Sequence, residues 1–375
     1  MASSSSSAVL LLPRTTKRSA RAAWLALLAA VLVGSAACSA TVRRGLPGAV
    51  ELPATLRLEP VCATCAHHPP PLRVPAGFRH WQTRTIVQGL EPAHFAEDVL
   101  AVEGRPVQVH ARFTYGSLRK DLEGERVRAS IELADGWVDV DEMRTNDDGM
   151  VVFAVPPRLR DLPSGDYAVL FTVLGDGTTA RSTLRIRPAG TRIVVFDIDA
   201  TLTQSNFALA GPAFSESQRE QGLPLPYPGA VDLTKAHALR GEEIVYLTAR
   251  PRFLGGMTRR WLDDRGFAPG AVELAPSLAD VTTSDGQAHY KSAFLEDLVA
   301  QGFVLDAGYG NAVCDIEAYR ASGLPCSGIY IIGELAGKDG TNAVRGSWST
   351  EVARVKALPP VEQPGWAGAP VDDGL

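Results

Sequence analysis

At 375 residues the chain is too long for one average domain, and 45% hydrophobic with 21% charged residues is the composition of a folded protein. The formal charge of −5, with no long block of lysine or arginine, argues against a nucleic-acid partner. What remains is an ordinary globular protein of two domains with tails.

The first segment reads as a signal rather than as fold. Arg14, Lys17, Arg18 and Arg21 precede an apolar run from Ala22 to Ala37, the order of a secretory leader over residues 1–37. The run is shorter than the about 20 apolar residues of a membrane span. Ser35-Ala36-Ala37 before Cys38 resembles a bacterial lipoprotein cleavage box, with Ser35 where leucine is usual and Cys38 as the lipidated residue. Export would place the protein in the periplasm or outside the cell, with Cys38 as a lipid anchor in a bacterial membrane.

Residues 38–78 form a proline-rich linker, plainest at Pro69-Pro70-Pro71, to which no fold need be assigned. Cys62 and Cys65 make a CxxC there beside His67 and His68; Ala66 breaks the haem-attachment pattern, and a local disulfide and a metal site both stay open. Cys314 and Cys326 flank a predicted helix whose ends stand about 12 Å or more apart, beyond the ~7 Å Cα limit of a bridge, so both are expected as free thiols.

From 79 to 188 the chain alternates with period two. Val107, Val109, Ala111 and Phe113 face one way and polar residues the other, and the pattern returns in Val127, Ala129, Ile131 and Leu133, in 151–155, in 167–173, and in Ala180, Ser182, Leu184 and Ile186. Turn chemistry separates the runs at Asn146-Asp147-Asp148-Gly149, Pro163-Ser164-Gly165-Asp166 and Gly175-Asp176-Gly177. Around seven short strands in about 110 residues predict an immunoglobulin-like β-sandwich. It carries no catalytic constellation and reads as a structural neighbour, or as a membrane or partner platform.

From 189 to 356 apolar strands alternate with helices. Strands are predicted at 192–197, 243–247, 272–274, 303–307 and 328–332, and helices near 229–240, 254–265, 291–301 and 315–322. Such alternation predicts a Rossmann-like α/β domain with a mostly parallel sheet covered on both faces. Residues 357–375, rich in proline, read as a disordered tail.

Ligands of such sheets bind outside the carboxyl ends of the strands, and there this chain concentrates polar groups that no core would want. Asp197 and Asp199 end the first strand, Thr248 and Arg250 the second, Asn311 and Asp315 follow a later one, and Lys291 opens the helix between. Singly, each has a plainer meaning: the acids a cap, Thr248 an N-cap, Lys291 a solvated first-turn residue, Arg250, Arg259 and Arg260 a solvated helix face.

In order, Asp197-Ile198-Asp199-Ala200-Thr201, Thr248, Lys291 and Asp315 resemble the four motifs of haloacid dehalogenase-like phosphatases. Tyr246-Leu247-Thr248-Ala249-Arg250, Met257-Thr258-Arg259-Arg260-Trp261-Leu262 and Gly308-Tyr309-Gly310-Asn311 bring residues 191–335 closer to the lipin-type phosphatidate phosphatase domain, which an immunoglobulin-like module also accompanies. Ala200 stands where lipins have glycine, and Asn206 where they tend to have aspartate.

The resemblance implies Mg²⁺ held by Asp197 and Asp315, with the Asp199 backbone carbonyl, and with Asn311 acting directly or through water. Asp197 would attack phosphorus to form an aspartyl-phosphate, and Asp199 would protonate the leaving alkoxide. Thr248 and Lys291 would stabilise the transferring phosphoryl, and Thr201, Arg250 and Arg259 would contact substrate. Motif spacing leaves room for a minimal cap only, suiting a bulky substrate at a membrane. The function this implies first is a Mg²⁺-dependent phosphatidate phosphatase; the alternatives are a phosphatidate-binding or lipid-transfer module without turnover, as in relatives within phosphatidylinositol-transfer proteins that have lost the nucleophile, against which the presence of Asp197 and Asp199 argues, and a phosphatase of a soluble phosphomonoester. Oligomeric state is not legible.

Overall fold

The computed structural model describes residues 67–204, 224–277 and 281–362. The leader, Cys38, the Cys62–Cys65 pair, Asn206 and the tail from residue 363 lie outside the described residues, and so do the expectations placed on them.

Period-two sequence builds the sandwich. Its strands are β1 (Phe95–Ala96), β2 (Val99–Val102), β3 (Gln108–Arg112), β4 (Thr114–Tyr115), β5 (Lys120–Asp121), β6 (Arg126–Leu133), β7 (Gly136–Arg144), β8 (Met150–Ala154), β9 (Gly165–Val173) and β10 (Thr179–Arg187). They pair as a β1-β3-β8 sheet, a β2-β10-β9-β6-β7 sheet and a small β4-β5 hairpin. Val109, Ala111 and Phe113 meet Val127, Ile131, Phe153 and Phe171 in one core, as the alternation requires. The count exceeds seven because β1, β4 and β5 are two residues each, too short to carry a period. Asn146 shapes the expected turn: its Oδ1 accepts from the N–H groups of Asp148 and Met150.

The end of the linker does have a fold. His67 and the His68 N–H bond the two oxygens of buried Glu132, Arg73 pairs with Asp139, and the Ala76 N–H donates to the Leu174 carbonyl, laying this segment along the sandwich. A short helix, α1 (Trp81–Val87), follows where the sequence predicts none.

The second domain is a six-stranded parallel sheet in the order β13-β12-β11-β14-β15-β16. Its strands are β11 (Arg192–Phe196), β12 (Glu243–Pro251), β13 (Ala271–Ala275), β14 (Val304–Gly310), β15 (Ile329–Ile332) and β16 (Asn342–Val344), and its helices α2 (Ala230–Leu239), α3 (Gly255–Asp264), α4 (Ser284–Gln301), α5 (Val313–Ala321) and α6 (Ser349–Lys356). Ile193 to Phe196 are fully buried, which is why the central strand β11 is a continuous apolar run. Three predicted boundaries shift. Helix α4 starts at Ser284, capped by the Thr283 hydroxyl, so Lys291 sits two turns inside it rather than at its start. Strand β14 runs on to Gly310, so Asn311 follows it directly. The tail stays folded through Glu362, where the Val361 N–H donates to the Arg240 carbonyl.

The domains share an apolar seam. Strand β2 lies parallel to β10 at the sandwich edge, and its Leu100 and Val102 pack with Val195, Leu247, Leu295 and Leu298. Phe95 lies so close to the start of α3 that a Cβ on Gly255 would fall 1.8 Å from its ring. Polar residues on β10 are buried here for the same reason: Arg187 reaches Glu243 of β12 at 2.7 Å and Asp166 at 2.7 Å.

Candidate active site at the strand ends

The backbone delivers the acids in a way their spacing foretells. Strand β11 lies between β12 and β14, and the Asp197 N–H still donates to the Tyr309 carbonyl, so Asp197 leaves the sheet at its carboxyl edge beside β14. The chain then winds into a tight loop in which Leu202 and Thr203 N–H groups both donate to the Ile198 carbonyl. Ala200 takes a left-handed φ of 55° there, the conformation for which glycine is suited, and its N–H donates to Thr203 Oγ1 at 3.0 Å. The indole N–H of Trp348, at the head of α6, donates to the Thr201 carbonyl at 2.9 Å. Trp348 lies beyond the last strand the sequence predicts, and no motif marks it.

Five predicted residues meet in one cluster, Asp197, Thr201, Lys291 and Asp315 buried and Asn311 half-buried. Lys291 Nζ donates to Asp197 Oδ1 at 2.7 Å and to Asp315 Oδ1 at 2.6 Å. Asp197 Oδ2 accepts from the Thr201 hydroxyl at 2.9 Å, which also lies 3.0 Å from Asn311 Oδ1. Asp315 Oδ2 accepts from the backbone N–H groups of Asn311 and Ala312, closing the turn into α5. Gly310 makes room for this: a Cβ there would lie 2.5 Å from that of Asp315.

Burial dominates the electrostatics. It pushes Asp197 up to about 7, with Lys291 pulling the other way and the Asp315 charge adding to the rise. Burial alone would lower Lys291, but the Asp197 and Asp315 carboxylates hold it well above its ordinary value. One ammonium facing two carboxylates therefore stays charged.

Asp199 turns elsewhere. Arg250, at the end of β12, holds it with both arms: Nε donates to Oδ2 and Nη2 to Oδ1, each at 2.8 Å. Arg250 is itself buried and donates through Nη1 to the Thr258 hydroxyl of α3 at 3.2 Å. Thr248 is buried two residues earlier, its Oγ1 accepting from the Arg250 N–H. Arg259, expected on substrate, is not brought to the cluster. Its guanidinium pairs with Asp98 at 3.1 Å, donates to the Ala96 carbonyl at 2.6 Å and lies over the Phe95 ring, so it clasps the sandwich. Cys314 and Cys326 are free thiols, as expected.

Residues 194–333 match the family model described as the PITM 1-3 LNS2 domain, and residues 92–186 match that of the PITM 1-3 beta-sandwich domain. The chain carries this sandwich–LNS2 pair. Among similar proteins, human membrane-associated phosphatidylinositol transfer protein 1 is 34% identical over 266 residues, which is 69% of this chain and 20% of that protein. Mouse membrane-associated phosphatidylinositol transfer protein 3 is 33% identical over 68% of this chain and 25% of its own length. The Drosophila melanogaster protein retinal degeneration B is 30% identical over 70% of this chain and 20% of its own length. The chain thus spans a quarter or less of these relatives. The lipin-type resemblance holds at the level of a haloacid dehalogenase-like LNS2 fold behind a β-sandwich.

The donor set suits a hard divalent cation. Asp197 and Asp315 turn one oxygen each toward a common positive charge, with the Asn311 amide oxygen beside them, and Mg²⁺ commonly takes one or two carboxylates and leaves its other positions to phosphate and water. Among the described residues no group of three or more His, Cys, Asp or Glu side chains is placed to hold a metal, so phosphate and water oxygens would complete the shell.

Proposed function

We propose that this LNS2 domain captures the phosphomonoester headgroup of phosphatidate at the Asp197–Lys291–Asp315 cluster, with Mg²⁺, and holds it without turnover. One observation carries the reading: the Arg250 fork occupies both carboxylate oxygens of Asp199. A general acid must present a protonated oxygen to the leaving alkoxide, and a carboxylate gripped on both oxygens by a buried guanidinium is an acceptor instead. The likeness to phosphatidylinositol transfer proteins supports a lipid ligand over a soluble one.

Thr248 Oγ1 and the Lys291 ammonium are the donors for the phosphoryl oxygens, and Asp197, Asp315 and Asn311 would hold the cation. When bound, Mg²⁺ would offset the repulsion between a phosphate dianion and the two carboxylates.

A second reading, hydrolysis through an aspartyl-phosphate on Asp197, is favoured by the presence of that carboxylate at the strand end beside Lys291. Sedimentation of the protein with phosphatidate vesicles, with and without Mg²⁺, separates the two when phosphate release is followed in the same tubes, for wild type and Asp197→Asn and with a soluble phosphomonoester in parallel. Mg²⁺-dependent binding with no release supports capture. Release from phosphatidate that Asp197→Asn abolishes establishes the phosphatase, and release from the soluble ester alone removes the lipid from the account.

A further inference from the structure

We propose that the β-sandwich acts on the site through α3: its β1–β2 corner clasps the segment that follows β12, and Thr258, held there, is the positioning residue that keeps the Arg250 fork on Asp199. The clasp closes directly behind the strand that delivers Thr248 and Arg250. Arg252 pairs with Glu97 at 2.9 Å, and the Arg119 guanidinium of the sandwich lies 4.8 Å from the centre of the Phe253 ring. The start of α3 at Gly255 sits against the Phe95 ring, where no larger residue would fit. One turn on, Arg259 donates to the Ala96 carbonyl and pairs with Asp98.

Asp98 anchors the clasp. Its side chain is 6% exposed, its Oδ1 accepts from the Thr183 N–H of β10 and its Oδ2 from the Val272 N–H of β13, so the carboxylate that grips Arg259 is itself fixed by the backbone of both domains. Burial raises the Glu97 carboxyl, and Arg252 and Arg259 both pull it back down, so the two arginines face the sandwich together. Thr258, the chain neighbour of Arg259, is fully buried. Its hydroxyl donates to the Leu254 carbonyl at 2.9 Å, which leaves the oxygen to accept from Arg250 Nη1 at 3.2 Å. A guanidinium is a rigid plane, so this bond on the remaining arm sets the tilt at which Nε and Nη2 meet Asp199. An unbroken path of ion pair, helix backbone, hydroxyl and fork thus joins Asp98 to Asp199. Its consequence rests on the headgroup reading: a sandwich that keeps the fork closed keeps Asp199 from serving as the acid.

The full chain labelled with nitrogen-15 arginine, free of lipid and Mg²⁺, gives the Arg250 Nε–H resonance, assigned by its loss in Arg250→Lys. Thr258→Val removes the hydroxyl and keeps the shape. Arg259→Met opens the clasp, and Asp98→Asn opens it from the sandwich side should Arg259→Met fail to fold. Each is expected to move that resonance and to speed its exchange with water about tenfold or more, the loss of one hydrogen bond to a charged group. Thr258→Val combined with Arg259→Met should add little to the larger single effect, because both changes cut one path. A lowered melting temperature with the Arg250 resonance unmoved would make the seam merely structural and overturn the proposal, and full additivity would overturn it too. Phosphatidate capture by a wild type whose Arg250 resonance ignores Arg259→Met would remove the clasp and leave the headgroup reading standing; a moved resonance in a chain that captures no phosphatidate would do the reverse.

Discussion

Replacing Lys291 by methionine keeps most of the side-chain volume and removes the one ammonium that faces both Asp197 and Asp315. The two bonds, 2.7 and 2.6 Å, lie among residues shut off from water, and loss of one partner from a buried ion pair costs about 3–5 kcal/mol because the remaining charge has no counter-ion. For a domain of this size that lowers the melting temperature of the LNS2 transition by roughly 6–20 °C. Mg²⁺ at about 100 times its dissociation constant should return about 2.7 kcal/mol, provided it binds only the folded chain. Calorimetry of wild type and Lys291→Met with and without Mg²⁺ measures both quantities. A loss below about 1 kcal/mol would show that the carboxylates do not depend on Lys291 and would refute the electrostatic account of the cluster.

Ala200→Gly should stabilise the protein by about 1 kcal/mol in chemical denaturation, because the left-handed φ of 55° strains any residue with a Cβ. His94 is held down to about 4, chiefly by burial; its Nδ1 accepts from the Thr114 N–H and its Nε2 donates to the Thr178 hydroxyl, so the folded state keeps it neutral. The unfolded chain binds a proton near pH 6.5 that the folded chain refuses, so stability should fall as pH drops from about 6.5 toward 4, and His94→Gln should flatten that slope in a pH series of urea melts. Arg187→Met leaves Glu243 buried at the seam without its close partner and should cost about 3–5 kcal/mol, loosening the sandwich from the LNS2 domain as read by hydrogen exchange along β2 and β10.

Much of the fold was legible because its signals are local. The apolar run into Asp197 could only be a buried strand, and the period-two face of Val107 to Phe113 could only be half of a sandwich. Lys291 was misplaced within its helix because the first turn of α4, Ser284 to Gln287, carries no apolar period, although Thr283 was there as a cap. The site's membership was legible and its pairing was not. Asp199 and Arg250 are 51 residues apart, and nothing local says that the arginine grips the second acid rather than a phosphate. Arg259 misled for the same reason, since its partner Asp98 lies 161 residues away in the other domain.

Phosphorus-31 resonance of phosphatidate vesicles mixed with stoichiometric protein and Mg²⁺ puts the central claim to its most direct test. Capture without turnover predicts that the phosphomonoester signal broadens or shifts on binding to the wild type, that Asp197→Asn weakens this binding by removing a holder of the cation, and that neither protein yields inorganic phosphate. Inorganic phosphate accumulating with the wild type and not with Asp197→Asn would contradict it, and would mean that Asp199 leaves Arg250 to serve as the acid.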